Sequence, residues 1–405
     1  MLSWEQARGK VVETVRARMR PPRREKVPLA RALGRVLAEP AVADRYLPPF
    51  PRAIRDGFAL RAADALAVGA ELDVVGEIKA GATFDQSIGP GQAVRIMTGA
   101  AVPAGADSVV MVEYTRELSD SRVALERAAQ AGQHIVPQGS EARAGQSLLQ
   151  PGRRIGFAEL ALLGEIGYAR PRVFRQPRVA IIATGDEIVP IETQPGPFQI
   201  RDTNGISLAA QISMAGGRAN IPLRASDESS ELATCIRAGL EADVLVLSGG
   251  VSKGKYDLVK GVLRELGAEF HIDGVAIRPG RPAVFGWCAD KPVFGLPGNP
   301  VSAMVTFELL VVPALDLLNG AEPRPLPMFS ARLAEPLTES EGLTHFLPAR
   351  VDWTASGREA RPVPWRGSGD LAGLAQSNAF LVVPADRARW SAGETIEIVA
   401  RRDLL

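Results

Sequence analysis

Apolar and polar positions follow different rhythms in different parts of this chain. Between Ser3 and Met19, the residues Trp4, Ala7, Val11, Val15 and Met19 recur at helical spacing, with Ser3 placed to cap the first turn. A second short helix is expected at Leu29–Leu37, after the Pro21-Pro22 break. From Pro40 to about residue 150 the pattern turns to short β-like runs among many glycines and prolines. Two of these are Ala93–Ala100, ending at a Thr-Gly turn, and Asp107–Tyr114. Gly152–Gly167 returns to helical spacing through Phe157, Leu160, Leu163 and Ile166.

From Arg178 the two rhythms alternate. Strands are expected at Val179–Ala183, Ala219–Leu223, Val244–Leu247 and Val293–Leu296. Helices are expected at Thr203–Ala215, Glu228–Leu240, Asp257–Leu266 and Val301–Leu318. Val244–Leu247 is an unbroken apolar run closed by Ser248-Gly249-Gly250, the pattern of a parallel strand buried on both faces. Beyond Pro323-Arg324-Pro325-Leu326-Pro327 the chain is β-like again. The expected fold is α/β and multidomain. A doubly wound central domain (177–327) is joined by two smaller β domains (46–145 and 328–405) and a helical connecting segment (1–45 with 146–176).

Composition narrows the class. The chain has 405 residues, 46% hydrophobic and 23% charged, which is ordinary globular usage. A formal net charge of +1 argues against a nucleic-acid coat or a membrane-surface protein. Aromatic residues make up 5% and do not interleave with basic ones, so no nucleic-acid partner is expected. Cys235 and Cys288 are far apart in apolar surroundings, which suits a reducing compartment. His134, His271 and His345 are scattered singly, against a histidine metal site or a Ser-His-Asp triad. No apolar run of the roughly 18–20 residues needed to span a bilayer is expected. The opening MLSWEQARGKVV lacks the build of a signal peptide, so a cytoplasmic location is expected.

Candidate chemistry gathers at the carboxyl ends of the central strands. Thr184-Gly185-Asp186-Glu187, Ser248-Gly249-Gly250-Val251-Ser252 and Pro297-Gly298-Asn299-Pro300-Val301-Ser302 each follow a predicted strand. Backbone N–H groups at such turns favour a phosphate. Carboxylates at the same rim would repel it unless Mg²⁺ lay between, held by one or two carboxylates and phosphate oxygens. Ser252, Lys253, Lys255 and Asp257 add a hydroxyl, cations and a carboxylate beyond the second loop. Taken alone, Asp186 and Glu187 would only cap the next segment; three such loops at one rim favour a phosphate-bearing ligand. Arg278-Pro279-Gly280-Arg281-Pro282 reads either as an oxyanion clamp or as two solvated arginines on a turn. There is no GxxxxGK[ST] and no GxGxxG, against P-loop hydrolysis and dinucleotide redox chemistry.

Taken together, these stretches resemble the molybdopterin molybdotransferases, the MoeA family that includes the gephyrin E domain. The residues that carry the resemblance run in the family's order over nearly the whole chain. They are Pro48-Pro49-Phe50-Pro51 with Asp56-Gly57-Phe58-Ala59, Arg95–Ala100 with Val102-Pro103, Thr184–Glu187, Asp202-Thr203-Asn204, Ser248–Ser252 with Asp257, and Leu296–Ala303. The resemblance implies a central domain like molybdopterin adenylyltransferase and an elongated homodimer. Its cleft would lie between the α/β domain of one subunit and the β domain of the other. The implied reaction inserts molybdate into adenylylated molybdopterin and releases AMP. Asp56, Thr98, Glu187 and Asp257 would be catalytic, and Glu187 and Asp257 would hold Mg²⁺. Substrate would be bound by Asp186, Asp227, Ser248, Gly249, Gly250, Ser252, Pro297, Gly298, Asn299 and Pro300. Arg278 and Arg281, with Arg350 and Ser368, would hold molybdate. A molybdopterin adenylyltransferase or an acceptor molybdoenzyme would be a further partner; no membrane is expected.

The chain departs from the family pattern at several places. Arg278 and Arg281 stand where lysines are usual, Lys255 where an acidic residue is common, and Leu258 where tyrosine is common. Ile54, Arg55 and Glu141 also differ. These departures motivate an alternative: a catalytically altered paralogue that acts as a pterin-binding or scaffold protein. A nucleotide- or pterin-dependent adenylyltransferase is a third reading. Molybdate and tungstate are not distinguished.

Overall fold

The computed structural model describes residues 1–220, 223–250, 258–355 and 357–404. Its middle part is built on a seven-stranded sheet. The strand order is Arg218–Ala219, Arg178–Thr184, Val244–Ser248, Lys291–Leu296, Val284–Cys288, Glu269–Asp273, with Leu223–Ala225 also beside Arg178–Thr184. Pairings are parallel from the first strand through Lys291–Leu296 and antiparallel for the last two.

Both faces of this sheet are covered, which is why its strands read as apolar runs rather than alternations. Val179, Ile181, Val244, Val246, Phe294 and Leu296 turn to one side, against Leu208, Ile212, Phe307 and Leu310 from the helices at 203–214 and 300–318. The intervening Ala180, Ile182, Leu245, Leu247 and Val293 turn to the other, against Leu232, Ile236, Val259 and Leu263. Each such Val, Leu, Ile or Phe side chain contributes roughly 1.5–3 kcal/mol through burial. The helix Trp4–Arg18 joins the first face through Ala7, Val11 and Val15. Ser3 caps it as expected, its hydroxyl accepting from the Gln6 N–H at 3.3 Å while Gln6 Oε1 accepts from the Ser3 N–H at 3.0 Å.

The remaining units are β-rich. A six-stranded sheet (order Ser108–Met111, Gly57–Leu60, Gln92–Ile96, Glu71–Ile78, Arg122–Leu125, Thr115–Ser119) forms the β domain. In the C-terminal part, Thr344–Thr354, Gly357–Pro362, Met328–Leu333, Thr395–Ala400 and Ala379–Val383 pair in sequence. The ring closes where Ala379–Val383 meets Thr344–Thr354. The connecting unit holds the helix Phe157–Glu165 and two short ladders, Arg24–Lys26 with Arg172–Phe174 and Ala41–Val42 with Ser147–Leu149. The architecture is a multidomain α/β fold.

Several elements differ from expectation. Leu29–Leu37 is not a helix: only Leu29–Arg31 makes a 3₁₀ turn, and Gly34 takes a φ of +74° that ends helical geometry. Val36 and Leu37 then bridge to Arg154 and Val173. The strand expected at Ala219–Leu223 is found as Arg218–Ala219 and Leu223–Ala225. The described part of the helix at 257–266 is Leu258–Glu265.

The last helix of the central domain departs most. It passes from α (Pro300–Thr306) through a π segment (Phe307–Val311) back to α (Val312–Leu318). Pro313 has no N–H for the ladder, and its ring would meet the carbonyl four residues back; the widened turn just before it relieves that conflict. Pro300–Leu318 also overturns the expectation that no apolar run reaches bilayer length. Its 19 residues have a mean hydropathy of 1.9, enough by length and composition to cross a membrane, but the stretch is 83% buried inside the fold as its core helix.

Candidate active site

The ends of the central strands open into a cleft of about 970 Å³. Its walls come from the predicted loops: Thr184, Gly185 and Glu187 after the first strand, Ser248, Gly249 and Gly250 after the second, and Pro297–Pro300 after the third. Gly369 and Leu371 of the C-terminal domain and the 199–204 segment complete it. The loops lie side by side because their strands are hydrogen-bonded neighbours, in the order 178–184, 244–248, 291–296.

The glycines differ in what requires them. Gly249 and Gly250 have φ of +99° and +63°, and a Cβ at Gly249 would sit 2.7 Å from the Thr184 carbonyl oxygen. Close packing between strands therefore demands glycine there. At Gly298 a Cβ would meet, among the described residues, only Gly249 Cα, at an ordinary 3.5 Å. Nothing among those residues excludes a side chain at 298, so the absence of one leaves room at the cleft wall.

Hydrogen bonds set the loops. The Asp186 carboxylate accepts from the Asp227 N–H at 3.0 Å, linking two acidic segments. Lost hydration, then the neighbouring Asp186 and Glu187 carboxylates, raise the pKa of Asp227 above the ordinary carboxylate value. Asn299 Nδ2 donates to Ser368 Oγ at 2.7 Å, and the Val301 N–H to the Ser368 carbonyl at 3.0 Å. The C-terminal domain is thereby fastened to the Pro-Gly-Asn-Pro turn.

Other expected site residues fall elsewhere. Asp56 and Thr98 meet each other in the β domain, where Asp56 Oδ1 accepts from the Thr98 N–H at 2.6 Å and hydroxyl at 2.8 Å. These two bonds hold the Asp56 carboxyl below its usual range. Neither residue lines this chain's own cleft. Pro282 reaches the cleft, whereas the exposed Arg278 and Arg281 do not line it. No carboxylate among the described residues pairs with either guanidinium. Arg278 lies in a short strand beside Thr344-His345, which joins its loop to the C-terminal domain. Arg350 is exposed, its Nε 3.3 Å from Asp352 Oδ1. Ser252 and Asp257, with Lys253 and Lys255, lie outside the described residues.

The structure adds Arg201, Gly369 and Leu371 to the cleft, and it also places there Asp202 and Asn204, named above only for the resemblance, and Pro282, named only as part of the 278–282 turn. Asp202 could have been found from its position, since it caps the helix Thr203–Met214 by accepting from the Gly205 N–H at 2.7 Å.

Fold and site together define a multidomain α/β protein with its ligand cleft at the carboxyl ends of parallel strands. Family models match in succession: the MoeA N-terminal region (domain I and II) over residues 2–167, the "Probable molybdopterin binding domain" over 180–317, and the MoeA C-terminal region (domain IV) over 330–400. The molybdopterin molybdenumtransferase of Bacillus subtilis is 36% identical over 94% of this chain and 90% of its own. That of Staphylococcus aureus is 32% identical over 92% and 90%. A solved structure of the molybdopterin biosynthesis MoeA protein from Pyrococcus horikoshii superposes with a TM-score of 0.84 at 28% identity, covering 99% of this chain and 100% of that one. Another solved structure of a molybdopterin biosynthesis MoeA protein from Pyrococcus horikoshii gives 0.77 at 34% identity, covering 97% and 98%. The chain belongs to the molybdopterin molybdenumtransferase (MoeA) family.

Proposed function

We propose that the chain acts in molybdenum cofactor biosynthesis as a transferase that inserts molybdate into adenylylated molybdopterin and releases AMP. The observation that supports this most is the cleft itself, where adjacent glycine turns face a rim of carboxylates. Such a site suits a ligand with a pyrophosphate rather than a neutral one.

The rim bears on the metal. Among the described residues no three His, Cys, Asp or Glu side chains are arranged to hold an ion. Mg²⁺ asks less, needing one or two carboxylates plus phosphate oxygens. Asp186, Glu187 and Asp227 meet that need, and their mutual repulsion at Asp227 is charge that a cation would offset. Glu187 would hold Mg²⁺, together with Asp257. The bound ion would neutralise charge that develops on the phosphoanhydride.

The chain's own groups act by positioning. Backbone N–H groups of the 249–250 and 298 turns would cradle the pyrophosphate, and the narrow wall at Gly298 would let it approach. Arg278 and Arg281, free of carboxylate partners among the described residues, would hold molybdate with Ser368 and Arg350. In a homodimer, Asp56 and Thr98 of one subunit would serve the cleft of the other. The adenylylated substrate would come from a molybdopterin adenylyltransferase, and the product would pass to a molybdoenzyme.

The test supplies purified protein with adenylylated molybdopterin, Mg²⁺ and molybdate and follows AMP. Release well above a no-protein control is expected; release equal to the control would overturn the proposal.

A further inference from the structure

One buried polar side chain in the cleft has no part in the roles above. Asn204 is 9% exposed and stands in the first turn of Thr203–Met214, whose start is fixed by the Asp202 cap. Its Nδ2 donates to Ser248 Oγ at 2.8 Å and to the Gly298 carbonyl at 2.7 Å. The carbonyl can only accept, so the amide orientation follows from chemistry. The other amide atom, Oδ1, is buried without a hydrogen-bond partner among the described residues. The two hydrogens of one –NH₂ group thus reach two different loops, one after each of two neighbouring strands.

We propose that Asn204 is a positioning residue that sets the spacing between the 248–250 turn and the 297–300 turn. This rests on reading the cleft as a phosphate cradle. The N–H groups that would hold a pyrophosphate belong to both turns, so the span between them decides whether both can engage at once. A side chain with two donors on one nitrogen fixes that span. Leaving Oδ1 unpartnered in a buried place is a cost that packing alone does not explain.

Asn204→Asp keeps the size and removes the donors. A carboxylate cannot donate to the Gly298 carbonyl, and the two oxygens repel; the protonated acid regains one O–H for that bond. The probe is AMP, with equilibrium binding measured near pH 8 and near pH 5.5 on the full chain. Glu187, Asp202 and Asp227, with Arg201, line the same cleft in both proteins, and Asp186 adjoins Asp227, so the ratio of variant to wild-type affinity removes their titration. We expect the variant to bind about tenfold more weakly near pH 8, and the deficit to shrink severalfold near pH 5.5. Wild-type affinity near pH 8, or a deficit unchanged by pH, overturns the proposal, the second outcome because a purely structural defect would not titrate. Asn204→Ser, which keeps one donor, is the second variant. Intermediate affinity supports the proposal, and affinity equal to wild type overturns it. A wild-type protein that does not bind AMP overturns the cradle reading itself, and the spacing role with it.

Discussion

Carboxylates at opposite ends of the core helix are treated in opposite ways. Asp316, fully buried, is enclosed by arginines: its Oδ1 accepts from Arg154 Nη2 at 2.9 Å and lies 2.9 Å from Arg324 Nη2. Its Oδ2 accepts from the Arg324 N–H at 2.8 Å. At the other end, Asp186, Glu187 and Asp227 crowd one another at the cleft rim, and no salt bridge to any of them is formed among the described residues. The first arrangement joins the connecting unit to the α/β domain. The second leaves negative charge uncompensated where an anionic substrate is expected, which serves the fold poorly and suits a site completed by its ligands.

The contrast can be broken by experiment. The largest effect is expected for Asp316→Ala, which strands two half-buried guanidiniums; loss of about 3–5 kcal/mol is expected from the denaturant midpoint. A midpoint like that of wild type would mean the cluster is not structural. Gly249→Ala comes next, since φ of +99° and the 2.7 Å approach to the Thr184 oxygen leave no place for a methyl group; about 1–3 kcal/mol should be lost. Gly298→Ala supplies the matching control: a melting temperature close to wild type, but AMP release slowed about tenfold or more. If both alanines behave alike, the distinction between packing glycine and ligand glycine fails.

The smallest effect concerns Asp227, and its sign is the point. Its folded-state pKa is raised, so the ionised form opposes folding once the pH exceeds the ordinary carboxylate value. Asp227→Asn should therefore be slightly more stable than wild type near pH 7, by less than about 0.5 kcal/mol at so exposed a site. The advantage should disappear as the pH falls below the unfolded-state pKa, where the wild-type side chain is neutral in both states. Melting curves across that range would detect it. A variant less stable than wild type at pH 7 would mean that the rim is not a region of repulsion.

The cleft was legible where local rules and tertiary demands coincide. A doubly covered strand must be apolar throughout, and a tight exit from it must use glycine, so Val244–Gly250 announces itself. Legibility failed where a distant segment decides the matter. Val284–Cys288 was missed as a strand because Gly286 interrupts it, yet a Cβ there would lie 2.7 Å from the Glu269 carbonyl oxygen of the neighbouring strand. Leu29–Leu37 has helical composition, but the partners of Val36 and Leu37 lie more than a hundred residues away. Asn204 looks like any polar residue at a helix start, and its two acceptors come from other loops. The same limit applies to Asp56 and Thr98: their spacing told nothing of the hydrogen bonds between them.

The helix from Pro300 to Leu318 starts at the cleft's Pro-Gly-Asn-Pro turn and ends beside Asp316 in the arginine cluster. At about 1.5 Å per residue it is a strut of roughly 28 Å, footed at the junction and carrying the Pro-Gly-Asn-Pro turn at its tip. Loosening the foot tilts the tip. A variant of Arg154 or Arg324 with weakened turnover would therefore report on leverage through the core, with no change in any group that touches the substrate.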